Sequence, residues 1–382
     1  MNDTLPRRPL VVFGVGLFGM GLAVGSYGAA VTRLLESGVA PGVAGLGMTL
    51  LLLGQFILVA PADRLTRTRW SKWVATAGFA TGAAALLLSV GETVGTTLLS
   101  RSLLGIGQGA AFVGAMKHVG KRTPDGLVSM SQGLLGALFT LGLAVSLAAA
   151  PTAFDAVGYS ESMVGVAIII ILSAAAVPLL APTENEPIVA FRAYLEPLRS
   201  PVGVALGLGN MATFGFLMVA TTWYEAALND VTSVSTAAVL VAFAATTVVG
   251  RAIGGILASQ IGDRTVVRHS MLGLTVVLAA MAIGIHYDST VLVVVGVVGT
   301  GLGFSVPFGP LFALAFSKLT DDAGVTLVVM LAVGNAGALA YPWVVGELVA
   351  ATATYAAGFA AMSLTVFGVW FLWRRTVSIA RF

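Results

Sequence analysis

The chain has no cysteine, only three histidines, and charge on just 10% of its 382 residues. Without cysteine there are no disulfides, thiolate zinc sites or cysteine nucleophiles. His118, His269 and His286 are scattered among loops and helix ends, so no metal cluster is expected. No Gly-x-x-x-x-Gly-Lys-Ser/Thr loop occurs, which removes nucleotide hydrolysis as a driving force. A channel would need repeated filter or ring-charge motifs, and a ligand sensor would be marked by a large soluble extension or long loop; neither is present. The residues suggest no enzyme chemistry and no cofactor.

Apolar sequence is abundant instead. Hydrophobic residues make up 57% of the chain and the mean hydropathy is +0.96, values a water-soluble domain carries only with large exposed apolar patches. Twelve apolar stretches stand out: 10–32, 43–60, 73–90, 94–116, 127–149, 162–181, 201–223, 236–257, 270–286, 291–315, 324–346 and 355–373. A helix needs roughly 20 apolar residues to cross about 30 Å of hydrocarbon, so these read as membrane spans, the shorter ones at the limit. The first run, about 22 residues, exceeds a secretory signal core and is expected to remain as the first helix. The 47 glycines suit helices that approach closely in lipid.

Charge alternates from loop to loop. Of the 18 Lys and Arg residues outside the spans, 17 fall in every second connection or at the termini; the intervening loops hold only Arg33. The basic set runs Arg7, Arg8; Arg64, Arg67, Arg69, Lys72; Lys117, Lys121, Arg122; Arg192, Arg199; Arg264, Arg268; Lys318; Arg374, Arg375 and Arg381. The opposite face carries acids, among them Glu36, Asp155, Glu225 and Glu347. By the positive-inside rule the basic loops and both termini are cytoplasmic, in the plasma membrane. The net charge of +3 follows from this topology and does not indicate a nucleic-acid partner.

The longest polar connection contains Pro182, Pro187 and Pro197 and divides the chain into a six-helix unit at 1–181, a cytoplasmic linker at 182–200 and a second six-helix unit at 201–382. Sliding the sequence by 196 places Phe18-Gly19 on Phe214-Gly215, Tyr27 on Trp223, Gly54 on Gly250, and Gly105-x-Gly107 on Gly301-x-Gly303. The matches lie at corresponding depths, as expected of two parallel repeats.

Three motifs carry a family resemblance. After the eighth span the chain reads Gly250-Arg251-Ala-Ile-Gly254-Gly255-Ile-Leu257-Ala258-Ser259-Gln-Ile-Gly262-Asp263-Arg264, and after the second it keeps Asp63-Arg64 with Arg67 and Arg69. The fourth span holds Arg101-x-x-x-Gly105-x-Gly107. The eleventh reads Gly334-Asn335-Ala-Gly337, followed by Tyr341-Pro342. Together with the twelve spans, these resemble the major facilitator superfamily, which implies an all-α fold of two pseudo-symmetric six-helix bundles, alternating access, and a small-molecule or ion substrate. The resemblance assigns gating to Asp63, Arg64, Gly255, Gly262 and Arg264. The Gly-Pro pair of drug–proton antiporters is missing from the fifth span, although drug or metabolite efflux remains the alternative within the fold. Arg251 and the Gly334-Asn335 motif resemble the second half of nitrate/nitrite porters; Gln55 stands where their partner arginine would be.

Only Arg101 and Arg251 are ionisable groups well inside spans, while Glu36 and Glu225 lie near helix ends from which they can dip inward. Two cations without a central carboxylate favour an anionic or neutral-polar solute. The candidate substrate contacts are Tyr27, Gln55, Arg101, Gln108, Asn210, Trp223, Arg251 and Asn335. The aromatics among them also suit an interfacial belt, and Gln108 and Asn210 also suit bonds between helices. A bend is expected at Pro307 and Pro310, and the working form is expected to be a monomer in the bilayer.

Overall fold

The computed structural model describes residues 5–68, 70–124, 127–231 and 234–377, with Ser129 described for its backbone only. Twelve long helices follow one another: α1 (Arg7–Glu36), α2 (Pro41–Thr66), α3 (Ser71–Ser89), α4 (Val94–Gly120), α5 (Val128–Val157), α6 (Tyr159–Ala176), α7 (Pro201–Val231), α8 (Thr236–Ile261), α9 (Asp263–His286), α10 (Thr290–Lys318), α11 (Ala323–Thr352) and α12 (Ala356–Thr376). Among the described residues, ten of these helices are long and apolar enough to cross a membrane. The other two, α3 and α4, carry Lys72 and, in α4, Arg101 and Lys117. Several helices run past the apolar stretches that mark them, because polar ends such as Arg7–Pro9 and Thr152–Val157 continue the same turns.

Local chemistry sets where helices begin and bend. Thr93 and Thr96 cap α4 reciprocally, Ser200 caps α7 through the Gly203 N–H, and Asp322 caps α11 through the Val325 N–H. α10 breaks between Ser305 and Phe308, where Pro307 removes a backbone donor, as the sequence predicts. α11 breaks at Leu339–Ala340, just before Pro342. In α7 the segment Met211–Gly215 forms one wide π turn.

The helices pair in a pattern that repeats after six. In the first set α1 packs on α5 and α6, α2 on α4, and α3 on α4 and α6; in the second α7 packs on α11 and α12, α8 on α10, and α9 on α10 and α12. Between the sets, α2 meets α11, α5 meets α8, and α1 meets α7. Glycines allow backbone to approach backbone: Gly21 on Phe139, Gly105 on Leu51 and Gly254 on Val306 leave no room for a Cβ. The segment joining the sets runs under the bundle as extended chain, ending in short turns at Arg192–Leu195 and Glu196–Arg199.

Candidate functional site

The densest polar cluster lies where α2 ends. Asp63 is fully buried and accepts three hydrogen bonds, from Arg67 Nε at 2.8 Å, Lys117 Nζ at 2.7 Å and the Tyr194 hydroxyl at 2.7 Å. Arg67 also grips Asp322 with both arms of its fork, Nη1 to Oδ2 at 2.8 Å and Nη2 to Oδ1 at 2.7 Å. Asp322 stands at the head of α11, so this pair joins the two sets of helices. Glu186 of the connecting segment adds a bridge to Lys117 at 2.9 Å and to Lys121 at 3.3 Å, and its N–H donates to the Arg67 carbonyl. Burial penalises the Arg67 cation, but hydrogen bonds to Asp322 and Asp63 outweigh this and raise its affinity for its proton. Desolvation likewise opposes the Asp322 anion, yet Arg67 and the Val325 N–H hold its carboxyl below the ordinary carboxylate range. Burial and the bond to Asp63 push the Tyr194 phenol up.

Of the gating residues expected from sequence, Asp63 stands at the centre of this cluster. Arg64 turns outward and stacks on Phe191 with its guanidinium carbon 4.3 Å from the ring centre. In the second copy of the loop motif, Gly254 makes the close helix contact, whereas Gly255 faces open space. One residue turns a helix about 100°, so the motif alone does not say which glycine of the pair meets α10. Gly262 is a turn glycine at φ +82°, where its N–H caps the Ala258 carbonyl. Arg264 follows it, beside the acidic start of α9.

Toward the other face lies an apolar seam. Trp223 of α7 donates to the Pro342 carbonyl at 3.2 Å and packs against Gly45 of α2. Tyr27 is buried, donates to the Ala44 carbonyl at 2.6 Å, and lies under the Arg101 guanidinium at 4.2 Å. Arg101 in turn donates to the Ala23 carbonyl at 2.8 Å. These three side chains tie helices together. As both Tyr27 and Trp223 are fully buried, neither forms a lipid-facing belt.

At mid-depth the remaining candidates gather. Gln55 and Gln108 each stand 14 residues from the N-terminal ends of α2 and α4, about 21 Å along either axis, and the two helices touch there through Gly109 and Gln55. Both carboxamides are buried and have no hydrogen-bond partner among the described residues; the same holds for Asn335. Asn210 gives its amide N–H to the Met330 carbonyl at 2.9 Å and leaves its oxygen unpaired among these residues. A helical turn beyond Gln108 and Asn210 stand Phe112 and Phe214, which begin a chain of rings that sequence reasoning missed. Phe112 meets Phe139 at 6.2 Å, Phe139 meets Phe214 at 6.1 Å, and Phe214 meets Phe308 at 6.5 Å, so the rings cross from α4 and α5 to α7 and α10. The Arg251 guanidinium lies 3.9 Å over Phe308 and faces Gly136 of α5. Its Nε is buried without an acceptor among the described residues. The wide turn of α7 carries Phe214 itself, and such turns often mark functional positions.

A family model described as Major Facilitator Superfamily matches residues 11–342. The chain belongs to the major facilitator superfamily. No curated protein sequence matches this superfamily member. Among solved structures it resembles the crystal structure of the human organic anion transporter MFSD10 (TETRAN), with a TM-score of 0.74 and 14% identity, over 97% of this chain and 100% of that one. At that identity the likeness establishes the fold. The protein is therefore a multi-pass membrane protein of a secondary-transporter family, whose kinship points to a carrier of small solutes.

Proposed function

We propose that this transporter carries an organic anion across the plasma membrane by alternating access, rocking residues 1–181 against 201–382 with 182–200 as the cytoplasmic connection. One observation carries the reading: Arg251 lies at mid-depth on a seam between the helix sets, over Phe308, with Nε unpaired among the described residues. No acid occupies the middle of any span, so an anionic ligand supplies the missing counter-charge. The guanidinium offers a planar fork to a carboxylate. The rings of Phe112, Phe139, Phe214 and Phe308 offer flat apolar walls, and Gln55, Gln108, Asn210 and Asn335 supply neutral donors and acceptors. The fold neighbour's description as an organic anion transporter agrees with this chemistry. Arg101 and Tyr27 serve as structural ties in this account.

Asp63, Arg67, Lys117, Tyr194 and Asp322 form the cytoplasmic latch, and Trp223 belongs to the outer closure. With both faces packed shut, the arrangement corresponds to an occluded intermediate of the cycle. A thermal-shift screen of the detergent-purified protein with benzoate, benzamide, nitrate and phosphate tests the reading. Stabilisation by benzoate and not by benzamide is expected. Equal stabilisation by the neutral amide would contradict it.

A further inference from the structure

A second unpaired ionisable group lies far from the centre. Glu225 stands six residues before Val231 at the end of α7, about 9 Å in from that end. Its side chain is only 6% exposed, and Oε2 has no hydrogen-bond partner among the described residues. It borders a cavity of about 220 Å³ lined also by Thr32, Arg33 and Glu36 of α1, Phe154 and Asp155 of α5, and Thr236 of α8. The cavity therefore lies on the seam between the two helix sets, on the face whose loops are acidic.

The neighbouring charges do not neutralise Glu225. Arg33 is directed to Asp155 at 3.6 Å and to the Phe154 carbonyl at 3.2 Å. Glu36 and Asp155 face Glu225 as like charges with Arg33 opposing them, and the Thr32 hydroxyl donates to the Gly28 carbonyl at 3.3 Å. On the remaining neighbours, Glu347 of α11 lies against Gly42 of α2, and Asp230 is near Tyr355. Closing this face thus removes water from a carboxyl that has one oxygen without a donor and two acids nearby. An anion stranded in this way is costly, and the uncharged acid avoids that cost.

We infer that Glu225 is a proton site that couples closure of the outer face to uptake of one proton from the external water. This rests on the reading that the two sets rock. Oε2 takes the proton as α1 and α7 close and returns it when the cavity opens and rehydrates the carboxylate, so nothing but water and a proton is exchanged. The site lies far from Arg251, and it lets the outside pH set the fraction of carriers closed to the outside.

The absence of cysteine makes the test direct. The Thr221 carbonyl meets Gly28 across this seam and Thr221 is buried, so Thr221→Cys reports outer-face opening by its labelling rate with an impermeant maleimide in proteoliposomes, taken at each pH relative to the same cysteine in denatured protein because the thiolate is the reacting form. On that background, labelling should rise as the external pH goes from about 5.5 to 8.5, by up to about tenfold per pH unit, the limit for one proton. Adding Glu225→Gln should leave labelling slow and flat with pH, while Glu225→Asp keeps a pH dependence with a moved midpoint. The proposal is overturned if Glu225→Gln retains the wild-type dependence, or if sodium at fixed pH slows labelling as acid does, which would make the cavity a metal-cation site. Arg67→Gln, which opens the opposite face, separates the two levels of the argument. If labelling answers to Arg67→Gln but not to pH, the proton site alone falls; if it answers to neither, the rocking reading falls with it.

Discussion

Arg67 and Asp322, 255 residues apart in the chain, share a two-pronged ion pair that fastens the end of α2 to the head of α11. Removing one partner of such a pair leaves a charge without its counterpart, so the loss falls on the closed state and not on the fold of either helix set. Asp322→Asn and Arg67→Gln should each shift the population toward the inward-open form. A coupling of 1–3 kcal/mol corresponds to about 5- to 150-fold. Tyr194→Phe removes one hydrogen bond to Asp63 and should shift it less, on the order of 2- to 10-fold. Labelling of a cysteine placed on the cytoplasmic side of the seam measures all three, and unchanged labelling in Arg67→Gln would reject the latch.

The latch and the outer cavity should respond differently to acid. The Asp322 carboxyl is held below its ordinary value of 3.8 when the latch is closed. Its contribution is thus fully present above that value and is lost only as pH falls through the lowered one. On the Glu225→Gln background, which removes the outer proton site, cytoplasmic closure should stay constant between pH 5 and 8, as read by the same cytoplasmic reporter relative to the denatured protein at each pH. A transition within that window would place another titrating group in the latch.

Arg101 and Arg251 are the two cations inside spans, but their surroundings differ. Arg101 is bonded to the Ala23 carbonyl and stacked on Tyr27, within one set of helices. Arg101→Gln should therefore lower thermal stability and yield while leaving ligand affinity in the folded fraction near normal. A pure affinity loss at unchanged Tm would return Arg101 to the substrate site.

Topology is open to the same labelling chemistry. Cysteines at Ser37, Ser160 and Ser289 should react from outside intact cells, and those at Thr68 and Asn185 should not. The reverse pattern would invert every assignment of inside and outside made above.

The spans, their alternating charge and the bend at Pro307 could be read from sequence because each depends on local composition or on one residue's covalent geometry. The motif acid Asp63 was visible as well, but Tyr194 reaches it across 131 residues and Asp322 reaches its partner Arg67 across 255, and no periodicity announces such pairings. The ring chain from Phe112 to Phe308 was hidden for a similar reason. Its members lie on four helices at unrelated spacings and meet only once the two sets are packed. Gly254 and Gly255 differ by one position, so composition could not choose between them; the direction of α10 did. Glu225 was legible as an acid near a span end. That its Oε2 would lack a donor depends on Arg33 being committed to Asp155 and Phe154.

The central claim is that Arg251 holds the anionic group of the solute, and benzoate exchange in proteoliposomes tests it most directly. Arg251→Gln should abolish benzoate binding and exchange, since losing a buried charge partner costs 2 kcal/mol or more, about 30-fold in affinity. Arg251→Lys keeps the charge but not the fork, and should weaken binding without abolishing it. Circular dichroism and Tm must show both variants folded. Wild-type benzoate affinity in folded Arg251→Gln protein would remove Arg251 from the site and contradict the account.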